Sequence, residues 1–310
     1  MDRAINLYTY ERFGMRAFIL SLRPRQWTKN LLVFAGVAFA QRMFSVPDML
    51  RATAAFFIFS AMSGVIYIIN DILDREADKN HPTKCRRPIA SGRISVSAAL
   101  TGSLIIGVSG IIAAWLLGIY FAVTVLAYIL LMLLYSKWLK HIVIIDVFAI
   151  AAGFVLRAVA GAVVIQVEIS SWLLVCTILL SLFLGLSKRR SELIVLEDGA
   201  TGHRKILREY TPGMLDQMIS VVTSSTVLAY ALYTLSADTV AKFNTHGLSL
   251  TIPFVIYGIF RYLYLVHRHD LGDSPDRILL EDKPLLISIA LWALAAAVVI
   301  YVVGPKGILE

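Results

Sequence analysis

The sequence predicts an all-α, polytopic membrane protein with nine transmembrane helices, and three observations carry that reading. Hydrophobic residues make up 58% of the 310 residues and charged residues 16%, with a mean hydropathy of +0.74. A soluble domain of this size could not bury so much apolar surface. Apolar runs near the ~20 residues that cross the hydrocarbon recur between short charged loops. Lys and Arg gather on one side of those runs, as they do in short cytoplasmic loops.

Residues 1–22 place Tyr8, Tyr10, Phe13, Met15, Phe18 and Leu22 among Arg3, Arg12 and Arg16. That mixture predicts an amphipathic helix on the cytoplasmic surface. Residues 23–310 read as one nine-helix domain. Its first span, Leu31–Ala40 with its flanks, is short and opens with Arg23, Arg25 and Lys29. No small-residue cleavage site follows, so it is expected to stay attached. The remaining spans are Thr53–Leu73, Val96–Leu117, Ile119–Leu134, Val143–Ile165, Trp172–Gly185, Leu215–Leu235, Leu250–Val266 and Leu285–Val303.

With the N-terminus inside, 23 of the 29 Lys and Arg lie on the inner side, and four, Arg42, Arg51, Lys242 and Lys306, lie outside. Arg157 and Arg261 fall within spans. This predicts a multi-pass protein of the inner (plasma) membrane whose N-terminus and long polar loops, 74–94, 188–212 and 267–283, are cytoplasmic. The net charge of +8 is then a topology signal and an attraction for anionic membrane lipid and anionic substrates. No nucleic-acid-binding motif is present. Polar loops on one face suit an enzyme or carrier better than a channel, which needs a polar path through the bilayer.

Cys85 and Cys176 fall in a loop and a span, so no disulfide is expected between them. His267 and His269 are two apart, a spacing that does not share a helical face and argues against a metal pair. In the fifth span Asp146 and Arg157 are eleven residues, three turns, apart on one face. Ionisable residues at that depth suggest function, although the depth of Arg157 favours pairing with a polar group on a neighbouring helix.

The chemistry concentrates in Asn70, Asp71, Asp74 and Asp78 at the end of the second span. On a continuous helix Asp71, Asp74 and Asp78 are at i, i+3 and i+7, which aligns three carboxylates on one face. Like charges so arranged repel unless a cation sits among them. Mg²⁺ takes oxygen ligands, commonly one or two carboxylates with waters and phosphate oxygens. The alternative is an ordinary solvated helix end. Against it, a helix C-terminus disfavours negative charge, and a cationic stretch follows at once. Residues 81–92 contain Pro82, Pro88 and Gly92, which prevent a long helix. The loop can fold back and present Lys84, Arg86 and Arg87 to phosphate oxygens.

These residues resemble the UbiA superfamily of intramembrane prenyltransferases. The acidic run is similar to its NDxxDxxxD motif, and the order of acidic run, basic loop and Tyr135-Ser136-x-x-Leu139-Lys140 is similar to its pattern over nearly the whole chain. The resemblance implies a nine-helix bundle around a central cavity, with Mg²⁺ and a diphosphate at the cytoplasmic mouth between two acidic motifs. Members that prenylate an aromatic ring carry a DxxxD-type second motif after the sixth span. Here that position reads Leu186-Ser187-Lys188-Arg189-Arg190-Ser191-Glu192-Leu193. A site with fewer acids and more bases should bind more anion.

Arg23-Pro24-Arg25-Gln26-Trp27-Thr28-Lys29-Asn30, the loop His81-Pro82-Thr83-Lys84 and Lys188-Arg189-x-x-Glu192-Leu193 together are similar to the branch of the superfamily that transfers 5-phosphoribose. The partners so implied are phosphoribosyl diphosphate as donor and polyprenyl phosphate as acceptor, in the making of cell-wall arabinan precursors. The resemblance implies Asn70, Asp71, Asp74 and Asp78 as Mg²⁺ ligands, with the three aspartates catalytic. Lys29, Asn30, Lys84, Arg86, Arg87, Tyr135, Lys140, Lys188, Arg189 and Glu192 are the implied substrate-binding residues at the mouth. An aromatic prenyltransferase is the alternative enzyme, and a lipid or small-solute transporter the alternative class. A homo-oligomer is compatible with the sequence.

Overall fold

The computed structural model describes residues 14–81, 83–197, 205–268 and 281–304. Among them no β-strand occurs, and eight helices are long and apolar enough to cross a membrane. Their α-helical parts are α1 (Val46–Leu73), α2 (Val96–Leu117), α3 (Ile119–Lys137), α4 (Ile145–Val164), α5 (Ser171–Glu197), α6 (Pro212–Leu235), α7 (Ile252–Arg268) and α8 (Lys283–Val298), the last two spans reaching over Gly247–His267 and Lys283–Val303 with their adjoining turns. Cys85 and Cys176 form no disulfide.

The helix boundaries have local causes. Ser95 and Thr211 accept the backbone N–H groups of Ala98 and Met214, and Asp282 accepts that of Leu285. Such caps satisfy donors that a helix start leaves open. Gly118, at φ 146°, joins α2 to α3 with no intervening segment, a backbone region that suits glycine.

The predicted first span takes a different form. A 3₁₀ helix covers Pro24–Phe34 and continues as an α-helix over Ala35–Phe39. A 3₁₀ helix rises ~2.0 Å per residue against 1.5 Å for an α-helix, so 24–39 cover about 30 Å, the thickness of the hydrocarbon. This irregular segment is covered by α1 and α4, as backbone at membrane depth requires. A Cβ on Gly161 would lie 1.9 Å from the Val33 carbonyl oxygen, and one on Gly36 would lie 2.8 Å from the backbone of Gly161. Only glycine permits that approach.

Helix α4 is central. It packs on α3, α5 and the 24–39 segment through buried Ala149, Ala151, Ala158, Ala160 and Ala162, small residues that let helix axes approach. Large apolar side chains such as Leu104, Leu116, Phe260 and Leu294 point outward. Near-identical polarity of lipid and leucine makes that outward face favourable. Arg157 is buried and pairs with neutral groups, as its depth led us to expect. It donates to Asn30 Oδ1 at 2.7 Å, the Gly153 carbonyl at 2.8 Å and the Tyr128 hydroxyl at 2.9 Å.

Helix α5 runs on past the expected end of its span at Gly185, so Lys188–Glu192 lie on a helix, where a loop had been expected. No Gly or Pro interrupts residues 186–197, and Lys, Arg, Glu and Leu favour helix. Of the amphipathic segment predicted for 1–22, residues 14–21 are helical, with Met15, Ile19 and Leu20 exposed and Ala17 buried. Residues 1–13 lie outside the described residues, as do 269–280, which include His269.

Candidate active site

Helix α1 ends at Leu73, and Asp74, at φ −91° and ψ 5°, divides it from a short helix over Arg75–Lys79. The single helical face expected for the three aspartates is therefore broken at Asp74. Asp71 and Asp78 turn inward, 2% and 4% exposed. They converge on one nitrogen: Arg87 Nη1 lies 3.0 Å from Asp71 Oδ1 and 2.6 Å from Asp78 Oδ2. Arg23 adds a second guanidinium, 2.5 Å from Asp71 Oδ1, with its Cζ over the Tyr67 ring at 4.8 Å from the centroid. Asp74 faces elsewhere, 3.5 Å from Lys140 Nζ. Asn70 is half-buried, and its carbonyl accepts the Asp74 N–H.

The basic loop folds back over the helix end, as predicted. Ile89 and Ile94 are buried against Ile68, Ala17 and Ala99, and this apolar foot aims Arg87 at the carboxylates. Lys84 and Arg86 stay exposed. Outside the spans, Lys79 donates to Glu76 and holds its carboxyl below the usual range.

Near the end of α5, Arg189 is 1% exposed. Its Nε donates to Asp146 Oδ2 at 2.6 Å, its Nη1 to Glu192 Oε2 and its Nη2 to the Tyr135 hydroxyl at 3.3 Å. Tyr210 donates to Asp146 Oδ1 at 3.0 Å and accepts the Ile144 N–H at 2.6 Å. Burial pushes the Tyr210 hydroxyl up to about 12, and the nearby Asp146 carboxylate adds to the rise. Lys188 is half-buried, 4.0 Å from Glu192 Oε1. Arg190 pairs with Asp216, which also lies 3.4 Å from His267 Nε2.

The residues expected at the mouth thus divide. Asp74 pairs with Lys140, while Tyr135 and Glu192 meet on Arg189, in two separate groups. Asn30 is fully buried and donates to Ser60 Oγ at 3.0 Å. Ser60 is eleven residues before Asp71 on α1, about 16 Å along the helix, so Asn30 belongs to the interior network of Arg157. Lys29 is half-buried next to it. Sequence reasoning did not place Arg23, Tyr210 or Asp216 in the site. Arg23 lay within the opening motif and could have been found there, but nothing in the sequence marks Tyr210 or Asp216.

Among the described residues no group of three or more His, Cys, Asp or Glu comes together as a metal site. The donor set nevertheless fits Mg²⁺. Two buried carboxylate oxygens meet within 3.0 Å of one cationic nitrogen, and one or two carboxylates completed by phosphate oxygens and waters are the usual environment of this ion.

The model of the UbiA prenyltransferase family matches residues 31–281. A decaprenyl-phosphate phosphoribosyltransferase of Corynebacterium glutamicum is 34% identical over 92% of this chain and 86% of its own. One of Mycobacterium tuberculosis is 33% identical over 88% of this chain and 91% of its own. Among solved structures, a UbiA homologue from Archaeoglobus fulgidus bound to GPP and Mg²⁺ superposes with a TM-score of 0.68 at 20% identity, covering 92% of this chain and 100% of that one. That likeness is one of fold. With a family match over most of the length, close relatives over nearly all of it and the expected helical bundle, this chain belongs to the UbiA prenyltransferase family.

Proposed function

We propose that this protein transfers 5-phosphoribose from phosphoribosyl diphosphate to a polyprenyl phosphate, with release of diphosphate and dependence on Mg²⁺. The observation that carries this reading is the asymmetry of the mouth. The end of α1 carries two convergent carboxylates, Asp71 and Asp78, and the end of α5 carries three cations, Arg189 held on Asp146 and Glu192, Arg190 on Asp216, and Lys188, at 43% the most accessible of them. One metal-borne diphosphate and a second phosphorylated partner match that charge pattern. The names of the relatives, decaprenyl-phosphate phosphoribosyltransferases at 33–34% identity, support the same choice.

Asp71 and Asp78, with Asn70 and Asp74 beside them, would hold the ion. When bound, Mg²⁺ neutralises and orients the departing diphosphate. Arg87 and Arg23, displaced from the carboxylates, are then free to bind phosphate oxygens, and Lys84, Arg86, Lys140 and Lys188 offer further charge-assisted contacts. The nucleophile is a phosphate oxygen of the lipid, already ionised at neutral pH, so no side chain has to remove a proton from it. The bond from that oxygen to ribose C1 forms as the bond from C1 to diphosphate breaks. We place the mouth and N-terminus on the cytoplasmic face of the plasma membrane, where the sugar donor is made, and the helical residues 14–21 along that surface. The product would supply a cell-wall arabinan precursor.

The test is purified protein with Mg²⁺, labelled phosphoribosyl diphosphate and polyprenyl phosphate. Labelled lipid that disappears in Asp74→Asn and in EDTA is expected. No labelled lipid from the wild type, with consumption of a prenyl diphosphate and an aromatic acceptor instead, would overturn the reading.

A further inference from the structure

We propose that Asp146 and Tyr210 are positioning residues, which hold the buried Arg189 so that it sets the Glu192 carboxylate against the sugar of phosphoribosyl diphosphate. The inference rests on the functional reading above and deepens it. Neither residue touches substrate. Asp146 is fully buried in the first turn of α4, where the helix N-terminus favours a carboxylate, and each of its oxygens has one donor, Arg189 on Oδ2 and Tyr210 on Oδ1.

Tyr210 is placed just as firmly. Its hydroxyl takes the N–H of Ile144, a β-branched residue at φ 69°, a backbone region such side chains rarely adopt. The chain direction that brings Asp146 inward at the start of α4 is thus tied to a side chain from the segment before α6. With its Nε committed to Asp146, the planar guanidinium of Arg189 has its remaining edge fixed in direction. That edge meets Glu192 and Tyr135, whose side chains are half-buried at the mouth.

Glu192 remains partly exposed, at 23%, whereas Asp216, at 39%, is turned to Arg190 and His267 and has no contact with Arg189. An ionised carboxylate only accepts hydrogen bonds. The diphosphate and 5-phosphate groups of the donor are anionic acceptors, which a carboxylate repels. The ribose hydroxyls are its hydrogen-bond donors, so they are the part of the molecule that Glu192 can receive. The Arg189 contact sets the direction of that carboxylate. A conserved-geometry loss upstream, at Tyr210 or Asp146, should therefore be felt as weaker binding of the sugar donor.

The experiment is a double-mutant cycle on the full-length enzyme, reading KM for phosphoribosyl diphosphate in Tyr210→Phe, Glu192→Gln and the double variant. Each single change should raise this KM about tenfold, and KM for polyprenyl phosphate should move less than about twofold in Tyr210→Phe. The double variant should also stay near tenfold, because the Tyr210 effect acts through Glu192. Asp146→Asn, which keeps the shape and one acceptor, gives a second route into the same cycle. A double variant near a hundredfold, or a lowered melting temperature with KM unchanged, overturns the inference and leaves a merely structural role. Wild-type protein that makes no phosphoribosyl lipid overturns the functional reading and this inference with it, so the two failures are told apart.

Discussion

Arg87→Ala tests whether the guanidinium between Asp71 and Asp78 stands where the metal binds. Its Nη1 is shared by two carboxylates whose side chains are 2% and 6% exposed, and the Arg87 side chain is itself 27% exposed. Removing one partner of a buried ion pair costs about 3–5 kcal/mol. The partial exposure of Arg87 and the second cation, Arg23, on Asp71 put this case at the low end, about 3 kcal/mol. For a chain of 310 residues that corresponds to a melting temperature lower by roughly 5 °C. The assay is thermal unfolding in detergent with EDTA and then with a Mg²⁺ titration. In EDTA the variant should melt below the wild type. Mg²⁺ at about a hundredfold over its dissociation constant stabilises by about 2.7 kcal/mol, and in the variant it has no guanidinium to displace. The gap should therefore nearly close, with a larger Mg²⁺-dependent shift in the variant than in the wild type. Equal shifts, or no loss in EDTA, would show that Arg87 and the metal do not compete for one position.

Lys188→Ala removes a partly exposed amine that touches Glu192 at its limit of contact, so melting should change by less than about 1 kcal/mol while KM for a phosphorylated substrate rises about tenfold; unchanged kinetics would take Lys188 out of the site. Gly161→Ala would push a methyl into the Val33 carbonyl oxygen at 1.9 Å, where no flexible side chain can yield. Yield of folded protein in detergent, measured by size exclusion, should fall, with a destabilisation of about 3 kcal/mol or more; a normally folded, active variant would refute the close packing of 24–34 on α4. The raised Tyr210 hydroxyl sets an alkaline limit. A group whose folded value lies above its ordinary value of 10 contributes stability that is complete below pH 10 and is lost as pH rises through about 12. Melting temperature followed from pH 9 to 12 should fall more steeply for the wild type than for Tyr210→Phe.

Much of the bundle was legible because lipid imposes a local rule. Runs of ~20 apolar residues with charged ends can form only helices there, and eight of the nine expected spans are long helices. The 24–39 segment escaped that rule. Its 3₁₀ geometry depends on Gly161, more than a hundred residues away. The end of α5 was misplaced because hydropathy stops at the membrane surface while helix propensity does not, and residues 186–197 obey the second.

By itself the sequence determined which residues carry the chemistry. Spacing placed Asp71, Asp74 and Asp78 together at a helix end and put Lys84, Arg86 and Arg87 beside them, since all are near neighbours along the chain. Only the tertiary structure decided what each one faces. It turned Asp71 and Asp78 onto Arg87 and Asp74 onto Lys140. It sent Asn30 into the interior with Arg157 and buried Arg189 on Asp146 and Tyr210. The physical reason is the range of the interaction. Charge spacing and hydropathy are properties of adjacent residues, whereas a buried guanidinium is oriented by carboxylates and hydroxyls from separate helices, and those meet only once the bundle has closed.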